Sequence, residues 1–252
     1  MQAIANSGST PDQLGSLHSN GAFVWLDSTN PSAIPVVCIP TTLSGGEYSS
    51  FDGATNDDDW RKYSFSGPKM ASPILVILDA ELSTMTLDKV TAVPQHHSRR
   101  RGRAIGAKAA VAAMSGVPVG ASHGVGHHLE SAGVGHGETS CIPNPAVCKY
   151  NYAKQANLAR QDAIAKILWR DAHASTVFEE ADLGNVMHAI IRVLGLPRTL
   201  KEFGIGEDSL DRIAEYSLWD RWVKTNPALL DKESVLEILR MALQGFCTRL
   251  YR

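Results

Sequence analysis

From Ala104 to the C-terminus the apolar residues recur at helical spacing, and that regularity removes most folds from consideration. "AIGAKAAVAAM" is rich in alanine, a strong helix former. "YAKQANLARQDAIAKILWRDA" places apolar residues three and four apart with mixed charge between them. "DLGNVMHAIIRVLGLP" reads as a further amphipathic helix, ended by Gly195 and Pro197. "LKEFGIGEDSLDRIAEYSL" and "DKESVLEILRMALQGF" complete a helical bundle. The second opens on Asp231 as N-cap, with acids in its first turn.

The first part of the chain has another texture. Residues 1–30 are polar and turn-rich, and "STPDQL" reads as a helix start, with Ser9 or Thr10 as N-cap and Pro11 near the first helical position. "IPVVCIP" (residues 34–40) and "PILVILD" (residues 73–79) are short apolar runs expected as buried strands. The first runs into "TTLSGGEYSS", a loop of hydroxyls and glycines. Strand, polar loop and strand is how an open parallel sheet presents a ligand crevice, although two strands do not make a complete doubly wound sheet. The loop fits phosphate binding through backbone N–H groups, or a plain strand-to-turn connection. It lacks the GK[ST] of a P-loop. The expected organisation is an α/β fragment over residues 1–90 and an all-α helical domain over 104–252. Between them "SRRRGR" (residues 98–103) reads as a solvated basic linker, or as a contact for nucleic acid or phosphate.

Bulk properties exclude several classes. The chain has 252 residues, enough for one large domain or two small ones. It is 44% hydrophobic and 20% charged, an ordinary profile for a soluble globular protein. A net charge of −2 argues for neither a nucleic-acid nor a membrane partner. No window approaches the roughly 18 apolar residues of a spanning helix. The N-terminus lacks the basic start and apolar core of a secretory signal. Cys38, Cys141, Cys148 and Cys247 form no CxxC pair, so reduced thiols and a cytoplasmic location are expected.

The chemistry concentrates in "GASHGVGHHLESAGVGHGETSC" (residues 120–141), which holds His123, His127, His128 and His136 among closely spaced glycines. His123 and His127 are four apart, so on a helix both rings face one way and could reach one metal ion. His136 follows a glycine-bearing connection that could return it to the same point. Imidazole suits Zn, Fe, Ni and Cu. Helix-surface histidines, or core histidines with satisfied hydrogen bonds, fit the pattern equally. Glu130 and Glu138 are nearby but sit among exposed-looking residues.

Two of these stretches carry a resemblance. "IPTTLSGGEYSS" resembles the Pro-Thr-Thr nucleotide-binding segment of the iron-containing alcohol dehydrogenases, particularly their maleylacetate reductase-like branch. "GVPVGASHGVGHHLESAGVGHGETSCIPNPAVCKYN" resembles that family's second metal-binding signature. "GLPRTLKEFGIGEDSLDRIAEYSLWD" and "NPALLDKESVLEIL" are similar to its C-terminal helical domain, in a style closest to fungal members. The resemblance implies a dehydroquinate synthase-like architecture, here shortened, with a dinucleotide-binding domain, a helical domain and an active site in the cleft between them. It implies a hydride passed between NAD or NADP and a small alcohol, aldehyde or keto substrate. A bound Fe(2+) or Zn(2+) would polarise the substrate oxygen. By position, His123 and His136 correspond to metal ligands and His127 to the catalytic histidine beside the nicotinamide. Thr41, Thr42 and Lys62 correspond to cofactor-contacting residues. Homodimer formation is left open.

The departures bear on the same expectation. The glycine-rich pyrophosphate motif would lie upstream of this chain's first helix. An Asp-x-x-x-His metal pair would normally follow "DAELSTMTLDKVTA", where this chain has "VPQHHSRRRGRAIG", with His96 and His97 but no such pair. That stretch reads like a misjoined exon or a frame-shifted segment. The expected function is therefore a metal-dependent alcohol dehydrogenase impaired by missing segments. The alternatives are a non-catalytic remnant, a helical interaction module of that family, or a small metal-binding protein built on the clustered histidines.

Overall fold

The computed structural model describes residues 23–25, 35–41, 45–49, 52–55, 58, 62–66, 73–79, 108–109, 111, 117–171, 182–193, 195–196 and 199–245. The chain divides into two compact units, Met1–Pro118 and Val119–Arg252. The helix start expected at "STPDQL", residue Thr42, and the linker over residues 90–104 with His96 and His97 lie outside the described residues.

In the first unit, β2 (Val37–Cys38) and β5 (Leu75–Val76) are parallel neighbours, with Val37 opposite Leu75 and Cys38 opposite Val76. These are the two runs expected as strands, and they pair as an open parallel sheet requires. Their expected burial is corrected. Val37, Ile39, Ile74, Leu75, Ile77 and Leu78 are all exposed, Ile74 to 71%. Two residue pairs make a ladder too short to carry a covering layer, so the apolar faces stay open. Three strands were not anticipated. β4 (Lys62–Ser66) lies between β1 (Phe23–Trp25), to which it is parallel, and β3 (Asp52–Thr55), to which it is antiparallel.

The second unit is built around α1 (Ala121–Ser131), which packs against α2 (His136–Thr139), α3 (Pro143–Ala153), α6 (Glu207–Trp219) and α7 (Arg221–Lys224). Ala121, Val125 and Leu129 stand four apart on one face of α1 and are fully buried. Each large apolar side chain so removed from water contributes about 1.5–3 kcal/mol. The core they enter is completed by Val235, Ile238 and Leu239 of α8 (Lys232–Gln244). Helix α1 stops where Gly133 takes φ +94°, a left-handed conformation that an L side chain resists. The amide of Gly133 then bonds Glu130 O and that of Val134 bonds Leu129 O, which satisfies the orphaned carbonyls.

The remaining helices follow local signals. Pro143 and Pro145 sit in the first turn of α3, where a missing N–H costs nothing. The run read as one helix from Tyr152 onward is two. Gln155 and Asn157 both take positive φ, so α3 ends before them and α4 (Leu158–Asp171) begins after them. Helix α5 (Leu183–Val193) ends at Gly195 as expected, with the Gly195 amide on Arg192 O and the Leu196 amide on Ile191 O. Asp231 caps α8 as expected, accepting from the Ser234 amide at 2.9 Å. No described helix is long and apolar enough to cross a membrane.

Candidate functional site

The histidine-rich stretch folds as a helix, a turn and a short helix, which decides between its readings residue by residue. His127 and His128 are buried, 7% and 2% exposed, so neither is a helix-surface histidine. His123 is half-buried on the same face as His127, as the four-residue spacing requires. Their ring centroids are 4.5 Å apart in an edge-to-face arrangement, and His123 in turn meets the ring of Trp222 at 6.2 Å. His136 opens α2, which folds back on α1. A Cβ on Gly126 would stand 3.2 Å from the Thr139 side chain. The His136 side chain lies outside the described residues. Glu130 and Glu138 are both half-buried rather than exposed.

The residue that sequence reasoning missed is Asp220. His127 Nδ1 lies 2.7 Å from Asp220 Oδ2, with both groups buried. Asp220 Oδ1 accepts the Trp222 amide at 2.8 Å, so the carboxylate also caps α7. Burial pushes the Asp220 carboxyl up. The hydrogen bond and charge of His127, the Trp222 amide and the charge of His128 outweigh it and hold the group below the usual carboxylate range. The two partners are 93 residues apart in the chain, so no spacing rule connects them. The available signal was the sequence "WDRW", an acidic N-cap between two helices.

Gly124 makes the pairing possible. A Cβ there would lie 2.8 Å from Val223 Cγ2, 3.0 Å from the Val223 amide nitrogen and 3.2 Å from Asp220 Oδ1. The glycine thus serves close helix approach, not approach to a ligand. A reciprocal amide pair locks the start of α1. Asn226 Nδ2 donates to Asn151 Oδ1 at 2.8 Å, Asn151 Nδ2 donates to Asn226 Oδ1 at 3.2 Å, and the Ala121 amide donates to that same Asn226 oxygen at 3.4 Å. Arg221 stacks over the Trp222 ring at 3.8 Å, beside the capping carboxylate.

Of the cofactor-facing residues expected in the first unit, Thr41 and Lys62 are among the described residues. Thr41 follows β2 and is exposed, and Lys62 heads β4 opposite Thr55, half-buried. Gly45, at φ +75°, leads into a single 3-10 turn over Gly46–Tyr48. Among the described residues no group of three or more His, Cys, Asp or Glu is placed to hold a metal ion. His123 is one imidazole, and His127 already engages Asp220. These residues alone do not complete a metal site.

The fold, a short-stranded α/β unit followed by helices, is shared with solved structures. A 1,3-propanediol oxidoreductase superposes with a TM-score of 0.76 at 17% identity, covering 96% of this chain and 73% of that one. The maleylacetate reductase of Rhizobium sp. strain MTP-10005 gives 0.67 at 20% identity, over 85% and 69%. At these identities the likeness is one of fold. In sequence, the Dehydrogenase FUM7 of Gibberella moniliformis (strain M3125 / FGSC 7600) is 32% identical over 306 aligned positions, covering 94% of this chain and 72% of the relative. Residues 71–243 match the family described as Fe-containing alcohol dehydrogenase family, C-terminal. This chain belongs to the iron-containing alcohol dehydrogenase family.

Proposed function

We propose that the chain is an NAD(P)-linked oxidoreductase that passes hydride between the nicotinamide and a small alcohol, aldehyde or keto substrate. Family membership supports the reaction class, and Fe(2+) or Zn(2+) with NAD or NADP are the groups that class implies. The observation that carries the reading is the buried pairing of His127, on the helix that bears the family's histidine signature, with Asp220 at the cap of α7. Hydride chemistry at a carbonyl needs a proton delivered to, or taken from, the developing alkoxide, and an oriented imidazole is suited to that work. His127 is the proposed catalytic group. His123 and His136 are the proposed metal-side residues, and Thr41, Thr42 and Lys62 the proposed cofactor contacts. A cytoplasmic location and a homodimeric assembly belong to the same proposal.

The test is direct. Purified chain is analysed for bound iron and zinc, for a change in NADH or NADPH fluorescence, and for turnover with a panel of alcohols and aldehydes. The reading expects nucleotide binding and turnover that His127→Ala removes without unfolding the protein. Metal with neither nucleotide binding nor turnover overturns it. Loss of all three leaves the non-catalytic helical module, which the missing Asp-x-x-x-His pair between residues 90 and 104 favours.

A further inference from the structure

We infer that Asp220 is a positioning residue. It fixes His127 in the tautomer that carries its proton on Nδ1, so that Nε2 is the nitrogen left with the lone pair. The geometry leaves little freedom. An ionised carboxylate can only accept, so at 2.7 Å from Oδ2 the hydrogen must reside on Nδ1. Asp220 cannot swing away to follow the ring, because Oδ1 is engaged by the Trp222 amide at 2.8 Å. The carboxylate stands so near α1 that a Cβ on Gly124 would lie 3.2 Å from that oxygen. The His127 ring meets His123 edge to face at 4.5 Å, and that contact also resists rotation.

Helix capping alone does not explain this residue. Asn or Ser would cap α7 without a charge, and a buried carboxylate costs free energy unless it is paired. What the charge adds is an acceptor-only partner for one chosen nitrogen of His127. Orientation of an imidazole by a buried carboxylate sets which nitrogen faces the chemistry. The consequence for turnover rests on the dehydrogenase reading; the tautomer does not.

The experiment separates the two. The full chain is labelled with 15N-histidine and stripped of metal by a chelator. Long-range proton–nitrogen spectra are then recorded at pH 8, with His127 assigned by loss of its signals in His127→Gln. The wild type is expected to show hydrogen on Nδ1 and a lone pair on Nε2. Asp220→Asn keeps a cap oxygen for Trp222 and can turn its NH2 toward His127, so the hydrogen is expected to move to Nε2 while the circular dichroism stays that of the wild type. Hydrogen on Nε2 in the wild type, hydrogen on both nitrogens, or an unmoved tautomer in folded Asp220→Asn overturns the assignment. If that variant fails to fold, the wild-type spectrum decides alone. In an active chain Asp220→Asn is expected to lower kcat about 10–100-fold with KM for nucleotide little changed. The stated tautomer in a chain with no turnover upholds the assignment and defeats the dehydrogenase reading instead.

Discussion

At the scale of the residue, the site depends on one missing methyl group and one buried charge. Gly124→Ala would force its Cβ against the Val223 backbone, which has no flexible end to move. We expect a loss of about 1–3 kcal/mol in urea unfolding, as for overpacked cores. The change should also displace Asp220 from His127. Asp220 predicts a pH dependence as well. A carboxyl held below its unfolded value contributes stability that is fully present above the unfolded value, 3.8, and is lost as pH falls through the lower folded value. Acid titration of thermal stability should therefore show a fall below pH 4 in the wild type that is reduced in Asp220→Asn. An equal fall in both proteins would mean that Asp220 is not the group responsible.

At the scale of the element, the amide pair between Asn151 and Asn226 joins α3 to the loop after α7 and to the first turn of α1. Replacing Asn226 with alanine takes both amide bonds from buried Asn151, at about 1–3 kcal/mol, while replacing Asn151 should cost less, because Asn226 keeps Ala228 O and the Ala121 amide. Because the two losses share the reciprocal Asn151–Asn226 bonds, the double variant should cost less than their sum in a denaturant double-mutant cycle. Leu129→Ala, by contrast, removes a fully buried side chain and should cost about 2–5 kcal/mol. What could be read from the sequence divides along the same line. Helices α5 and α8 were legible because their stop at Gly195 and their cap at Asp231 are local signals. The face shared by His123 and His127 was legible from helical spacing. The division between α3 and α4 was hidden because Gln155 and Asn157 are not obligate turn residues. Strands β1, β3 and β4 were hidden because they are short and their pairing is not local. Asp220 was hidden because its partner lies 93 residues away.

At the scale of the whole molecule, the two units differ in how they treat apolar surface. The helical unit hides Val125, Leu129, Ile238 and Leu239 almost completely, while the parallel strand pair of the first unit leaves Ile74 and Leu75 to solvent. Such exposed apolar strands promote association. Ile74→Lys should therefore lower the aggregated fraction in size-exclusion chromatography and leave the helical circular dichroism signal unchanged. Equal aggregation in the variant would place the association elsewhere. The expected order of the chain, α/β fragment before helical domain, is the one observed. The helical half was the easier to anticipate because its helices are announced by local signals, apolar spacing with caps and stops, although its core joins distant segments.

The Asn226 amide ties three segments of the helical unit together, and the next residue is Pro227. Spontaneous deamidation of asparagine ordinarily begins when the following residue's backbone N–H attacks the side-chain carbonyl. Proline has no such N–H, so that route is closed at Asn226. The Asn226 half of the joint that anchors the histidine helix is thereby protected from the commonest form of chemical ageing.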